Sequence, residues 1–407
     1  MNDALIIDAC RTPRGIGKRG KGSLSHLHPQ HLGATVLAAL AERNDLDTSE
    51  VDDIIWGTSA QVAEQGGDIG RMSALDAGYD IKASGVTLDR FCGSGITSVN
   101  MAAGMVMSGL EDLVIAGGTE MMSLPKTGAL RLGALNEHLE DIHPQPHQGV
   151  AADAVATLEG ISREALDAHA ADSQAKAARA IEEGRFSRSL IPVLNPDGTV
   201  ALDREEFPRP GTTADSLAKL APSFIGLADH PLDDEGTTFR QLVAKKYPDL
   251  VIEHVHHAGN SSGVVDGAAA LLLASPDYAR SRGWTGRARV VAIANMGDDP
   301  TLMLNAPVPA ARKVLAKAGM TVDDIDLFEI NEAFAVVSEK FMRDLDLDRS
   351  KVNVNGGAMA LGHPIGATGS VLIGTMLDEL ERQDLQTGLI TMCAAGGMAP
   401  AIIIERI

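Results

Sequence analysis

FCGSGITSVNMAAGMVMSGLEDLVIAGG, residues 91–118, sets Cys92 among small residues, follows it with a helix apolar on nearly every side, and closes on a strand at Asp112–Gly117 that ends in Gly-Gly. A helix without a polar face belongs inside a protein. Upstream, a strand at Ala4–Ala9, a helix near His31–Arg43, a strand at Asp53–Gly57, a helix near Gly70–Ala77 and a strand at Gly85–Leu88 alternate. That alternation predicts an α/β layered fold.

The last 120 residues repeat the order, with a strand at Ala288–Ala294, a helix near Ala310–Ala318, and TVDDIDLFEI (321–330) set against SEVDDIIWG (49–57). GHPIGATGSVLIGTMLDEL (362–380) and GLITMCAAGG (388–397) then restate the Gly-rich turn, apolar helix, strand and Gly-Gly. Two copies of one α/β unit are the economical reading. The first copy is expected over 1–122, completed by 263–287 through the strand-like DGAAALLLAS (Asp266–Ser275), and the second over 288–407. Between them, 123–262 reads as an inserted loop domain, with turn signals at Asn195–Thr199 and Phe207–Thr213 and helical patterns at Arg163–Glu183 and Thr213–Leu220.

Of 407 residues, 44% are hydrophobic and 22% charged, the balance of a soluble globular chain of two or three domains. Lys and Arg number 35 against 55 Asp and Glu, so the net charge of −20 repels phosphate backbones, and 8 Phe, 3 Tyr and 2 Trp leave little for base stacking. Nucleic-acid binding is excluded on those grounds. Cys10, Cys92 and Cys393 make neither a disulfide framework nor a zinc pattern and read as thiols in a reducing compartment. The start, MNDALIIDACRTPRG, lacks the pattern of a signal peptide, and no apolar run reaches the ~18 residues of a membrane span. A soluble, cytoplasmic protein is expected.

Cys92, at a Gly-flanked turn before a helix, is a candidate nucleophile, because a helix N-terminus favours the thiolate; the competing reading is an inert buried cysteine. His363 stands at the matching point of the second copy, where it can serve that thiol as base. Cys393 precedes Ala394-Ala395-Gly396-Gly397, whose backbone N–H groups can face an oxyanion, and a second thiol there suggests proton transfer. Asn331 and Glu332 follow the strand Leu327–Ile330, where an N-cap is the plainer reading of Asn331. His254, His256 and His257 look like a metal cluster but lack ligand partners at the right spacing, so no metal site is expected. The acidic run Asp229–Glu235 reads as a solvated loop.

These residues sit in motifs that resemble the thiolase family, the acetyl-CoA C-acyltransferases and acetyl-CoA acetyltransferases: FCGSGITSV at Cys92, NEAFA at Asn331, NGGAMALGHPIGATG at His363 and CAAGG at Cys393. Supporting matches run through IIDACRTPRG, RPGTTADSLAKLAPSF (209–224) and AGNSSGVVDGAAA (258–270). The resemblance implies a duplicated, five-layered αβαβα core with an inserted loop domain, and a homodimer or homotetramer. It implies thiolytic cleavage of a 3-ketoacyl-CoA through an acyl-Cys92 intermediate, with coenzyme A as co-substrate and no tightly bound cofactor. His363 would be the base, Cys393 the acid–base partner of the acetyl-CoA carbanion, Asn331 the holder of a water at one oxyanion, and Cys92 and Ala395 the backbone donors at the other. Arg209, Ser216 and Leu220 would hold the adenosine end of coenzyme A and Ser262 its pantetheine arm.

Three departures from the family bear on substrate choice. Ala395 stands where a glycine is usual; His147-Gln148-Gly149 replaces His-Met-Gly beside the acyl group; and Met303-Leu304-Asn305-Ala306-Pro307 replaces a Gly-containing segment. Gln148, Met303 and Phe334 are the expected pocket residues. Roughly 20 extra residues around Ile225–Val251 lengthen the insert where they can cover the entrance. The acyl chain is therefore expected to differ from plain acetoacetyl, in fatty-acid or related lipid degradation. The alternatives are the same residues making acetoacetyl-CoA biosynthetically, a decarboxylating ketosynthase, disfavoured by Cys393 and NEAFA, and a non-catalytic acyl-CoA-binding relative.

Overall fold

The computed structural model describes residues 3–124, 132 and 136–407, so part of the expected insert lies outside the described residues. A mixed sheet contains β1 (Leu5–Arg11), β2 (Asp53–Gly57), β3 (Val86–Leu88), β4 (Leu113–Met121), β5 (Val265–Ala274), β6 (Ala288–Gly297), β7 (Leu327–Ile330), β8 (Thr387–Thr391) and β9 (Met398–Arg406). Their spatial order is β7-β8-β9-β6-β1-β5-β4-β2-β3. This is one pattern used twice, back to back. β2 runs parallel to β4 as β7 does to β8, and the strands between them and the centre are antiparallel. At the centre of the sheet the copies pair β1 with β6, at Leu5↔Arg289 and Ile6↔Ala288. Where β3 flanks β2, the second copy has a single parallel bridge, Phe328↔Val352.

Several strands run beyond their expected ends because pairing carries them on. β4 continues to Met121 in register with β5, from Leu113↔Ala274 to Met121↔Asp266. Every residue of β4 and β5 is buried, as strands covered on both faces require. The covering helices are α1 (Pro29–Arg43) and α2 (Ile69–Asp76) outside the first copy, and α7 (Pro307–Ala318) and α8 (Ala335–Asp344) outside the second. α3 (Ser94–Ser108) and α9 (Ile365–Gln383) lie between the two halves of the sheet, packed on Val114, Ala116, Leu271, Ile390 and Ile402. The layers are thus αβαβα.

α3 and α9 cross backbone to backbone at their N-terminal turns. A Cβ on Gly369 would stand 2.1 Å from the Ile96 nitrogen, and one on Gly95 2.7 Å from the Ser370 nitrogen. Only glycine permits that approach. It brings the residues just before each helix, Cys92 and His363, to the same end of the central layer.

The insert contributes α4 (Gln148–Glu159), α5 (Arg163–Glu182) and α6 (Phe239–Lys246), whose apolar faces share a core with the outer side of the second copy. The helix expected at Thr213–Leu220 is a single turn, Ala214–Leu217, opened by a Thr213–Ser216 capping box and burying only Leu217. Among the described residues no helix is long and apolar enough to cross a membrane.

Candidate active site

Cys92 sits on the turn between β3 and α3. Phe91, just before it, holds the left-handed φ of +50°, an uncommon geometry outside glycine, and Ser94 Oγ pins the turn by accepting from the Arg90 N–H at 2.9 Å and donating to the Phe91 carbonyl at 2.7 Å. The sulfur faces a pocket of about 190 Å3 lined by Cys92, Gln148, Met303, Ile365 and Ala395 among others. Three residues expected there from the departures are therefore neighbours in space. Phe334 is not: it is buried edge-on to His256 at 5.6 Å and Phe224 at 5.9 Å, and it does not line that pocket.

Proximity to a helix N-terminus does not make Cys92 a thiolate. Burial pushes its thiol up to about 12, helped by the negative charges of Glu120 and Asp89 and opposed by its own backbone N–H. The helix N-terminus that was expected to favour the thiolate is thus outweighed by burial. Burial also lowers His363, to about 4, so the imidazole is neutral. Its tautomer follows from its neighbour. Thr368 Oγ1 donates to the Pro364 carbonyl at 2.8 Å and so accepts from His363 Nδ1 at 2.5 Å. Nε2 keeps a lone pair with no partner among the described residues, which is the state a base requires.

Asn331 is buried beyond the end of β7, its N–H donating to the Thr391 carbonyl at 3.3 Å. It is not an N-cap, because α8 starts four residues later with Phe334 in the cap position. Both amide atoms of its side chain lack partners among the described residues. Such a group costs stability and calls for a functional explanation. Glu332 next to it is fixed by Ser173 Oγ at 2.7 Å, Asn353 Nδ2 at 3.0 Å and the Met359 N–H at 3.2 Å, which locks the segment.

Cys393 follows β8, is 1% exposed, and burial followed by the neighbouring Cys92 raises its thiol well above the ordinary range. The turn beyond it is closed by Ala394 and Met398, which exchange backbone hydrogen bonds of 2.7 and 3.1 Å. Gly396 and Gly397 take the left-handed positions, at φ +75° and +73°, and Ala395 does not, so its methyl group imposes no backbone strain.

Ser262, Arg209, Ser216 and Leu220 are the residues expected to hold coenzyme A. Ser262 donates its N–H to the Ala333 carbonyl at 2.9 Å, and Gly263 accepts from the His363 N–H at 2.9 Å. Phe207 lies on Gly263, and the exposed Arg209 guanidinium sits 5.4 Å from the Phe207 ring. Ser216 and Leu220 are exposed, with Arg163 donating to the Leu220 carbonyl at 2.9 Å.

The histidine run is used for structure. His254 Nδ1 and His256 Nδ1 meet Asp153 at 2.7 and 2.8 Å, and His257 Nε2 meets Asp167 at 2.8 Å. Two positioning residues escaped the sequence reading. Thr368 lies on the first turn of α9, five residues after His363. Glu120 is buried and accepts from the N–H groups of Ser59, Ala60 and Gly366 at 3.0, 3.1 and 2.8 Å and from Gln65 at 2.9 Å, tying the first copy to the start of α9. The signal available was a charged residue close to the end of an otherwise largely apolar strand.

A neutral buried thiol, a neutral imidazole with a free Nε2, a second buried thiol and unpaired amide groups define a cysteine-dependent acyl-transferring enzyme. Residues 4–227 match the model of the thiolase N-terminal domain and residues 284–406 that of the C-terminal domain. The chain is 39% identical to the acetyl-CoA acetyltransferase of Thiocystis violacea, with 100% of each chain covered. It is 38% identical to the steroid 3-ketoacyl-CoA thiolase FadA6 of Mycobacterium tuberculosis, covering 100% of this chain and 95% of that one. The crystal structure of the Bacillus anthracis acetyl-CoA acetyltransferase superposes with a TM-score of 0.84 at 33% identity, covering 100% of this chain and 99% of that one. The chain belongs to the thiolase family, an acyltransferase with thiolase activity whose co-substrate is coenzyme A.

Proposed function

We propose that the enzyme cleaves a 3-ketoacyl-CoA whose acyl group is larger than acetyl, in fatty-acid or related lipid degradation. The observation that carries the assignment of roles is the pair of unpartnered buried groups, His363 Nε2 and the Asn331 amide, in a site that also holds two buried thiols. His363 Nε2 takes the Cys92 proton as the sulfur attacks the 3-keto carbon. The C2–C3 bond breaks, Cys393 protonates C2, and acetyl-CoA leaves an acyl-Cys92 thioester. The proton on His363 passes to Cys393, restoring two neutral groups. His363 then takes the thiol proton of incoming coenzyme A and returns it to Cys92 as the acyl group moves to the new thioester. Asn331 holds a water that, with His363, faces one oxyanion, and the N–H groups of Cys92 and Ala395 face the other.

The size of the acyl group is supported by the space available. A second hollow of about 250 Å3, lined by Val62, Met121, Met122 and Leu124 among others, adjoins the Cys92 pocket through the shared walls Gln148 and Ile365. An acetyl group leaves that hollow unfilled. Residues 123–262 are the coenzyme A-binding insert in this reading, with Arg209, Ser216 and Leu220 at the adenosine end and Ser262 at the pantetheine arm.

A cytoplasmic homodimer or homotetramer completes it. The edge strand β3 leaves Val86 41% exposed, and Ile81 just before it is 81% exposed; another copy would cover them, as an unprotected sheet edge invites. Val86→Lys with Ile81→Lys is expected to give monomers in light scattering. The experiment for activity is intact-protein mass spectrometry with a panel of 3-ketoacyl-CoAs, with Cys92→Ser alongside. An acyl mass on the wild type alone, released by coenzyme A, is expected; binding without an adduct would overturn the role of Cys92, and a preference for acetoacetyl-CoA would overturn the larger acyl group.

A further inference from the structure

Helix α6, within the residues 225–251 that were expected to lengthen the insert, contacts segments on two sides of the Cys92 pocket. It is sturdy for its eight residues: Thr238 and Gln241 form a capping box, and Phe239, Leu242 and Val243 are buried. Its two ends reach the two walls. At the start, the Phe239 ring lies 5.9 Å from that of His147, whose Nδ1 accepts from the Gly149 N–H at 3.1 Å and so fixes the turn that presents Gln148.

At the far end, Tyr247 Oη donates to Asp299 Oδ2 at 2.5 Å. Asp299 Oδ1 accepts from the Thr301 N–H at 2.8 Å, and the Asp299 carbonyl accepts from the Met303 N–H at 2.9 Å. Thr301 Oγ1 donates in turn to the Pro144 carbonyl at 2.7 Å, close to the wall residue Pro146. One residue before Asp299, the Asp298 N–H donates to the Gly397 carbonyl at 2.7 Å, in the turn that carries Ala395. Met303 itself holds a left-handed φ of +61° while 1% exposed. A long side chain keeps that strained conformation only when its surroundings over-determine it.

We infer that Tyr247, through Asp299, and Phe239, through His147, are positioning residues that set which acyl groups the pocket accepts. The inference rests on the thiolase reading of this site and adds to it the element that shapes the specificity wall. Neither residue lines the pocket, and each acts on one that does. A relaxed Met303 would turn out of the left-handed region and move its side chain relative to Cys92, and displacements of about 1 Å at a reacting centre are enough to change rates up to 100-fold.

The test compares kcat/KM for acetoacetyl-CoA and for longer and branched 3-ketoacyl-CoAs in the wild type, Tyr247→Phe, Met303→Gly and the double variant, with the KM for coenzyme A measured alongside. Tyr247→Phe is expected to compress the spread among acyl groups by roughly tenfold, with the KM for coenzyme A unchanged. Glycine tolerates φ +61° without a tether, so Tyr247→Phe is expected to add nothing in the Met303→Gly background. Phe239→Leu, which loosens the His147 wall by a different contact, is the second probe should Tyr247→Phe fold poorly, and it too is expected to compress the spread. Equal loss on every acyl-CoA, or the same effect of Tyr247→Phe with and without Met303→Gly, would overturn the inference alone. A wild type inactive on every 3-ketoacyl-CoA would overturn it together with the thiolase reading.

Discussion

Cys92 and His363 start as a neutral pair, and this sets their behaviour with pH. His363 is depressed to about 4 from its ordinary 6.5, so the unfolded chain takes up this proton first as the pH falls. The stability that follows from keeping it neutral is complete above pH 6.5, is lost between 6.5 and 4, and amounts to about 3 kcal/mol, to be seen in urea titrations across that window. Alkylation of Cys92 by iodoacetamide is expected to rise steadily with pH beyond 9, because burial holds the thiol up to about 12. A plateau near pH 7 would mean a resting thiolate. Asn331→Ala removes an amide with no partner among the described residues, so the unfolding midpoint is expected to stay nearly constant while kcat falls by roughly 100–1,000-fold.

At the scale of elements, the joint between the copies combines the close backbone crossing of α3 and α9 and their apolar packing with one buried carboxylate, Glu120. Glu120→Gln keeps the shape but turns an NH2 toward N–H groups of Ser59, Ala60 or Gly366, and is expected to cost about 2 kcal/mol in the urea midpoint and to lower kcat through the displaced His363 turn. Gly369→Ala inserts a methyl 2.1 Å from the Ile96 nitrogen and is expected to cost at least ~2 kcal/mol and to slow acylation of Cys92, read in a stopped-flow burst. The sequence showed these helices by apolar pattern and the strands by alternation, and it showed the chemistry by short motifs, because each of those signals is local. It did not show Glu120, Tyr247 or the fate of the histidine run. Their partners lie far off along the chain, Gly366 246 residues from Glu120 and Asp299 52 from Tyr247, and no local pattern records such a contact. The thiolate expectation failed for a related reason: the helix terminus is visible in sequence, whereas the depth at which it is buried is a property of the assembled layers.

Across the whole molecule, the duplication divides the reactive residues between the copies, Cys92 on the first and Asn331, His363 and Cys393 on the second, so activity is expected to need the complete chain rather than either half. The same arrangement bears on how the protein is made. β1 pairs with β5 along most of its length and touches β6, and these partners begin at residues 265 and 288. At ~5–20 residues per second, β1 therefore waits on the order of 10–50 s for a neighbour. Throughout that interval, Leu5–Arg11 is an apolar segment with two open edges, and a nascent chain stopped at residue 262 is expected to bind chaperones and pellet, whereas one released after residue 297 gains both partners and a route to the native sheet.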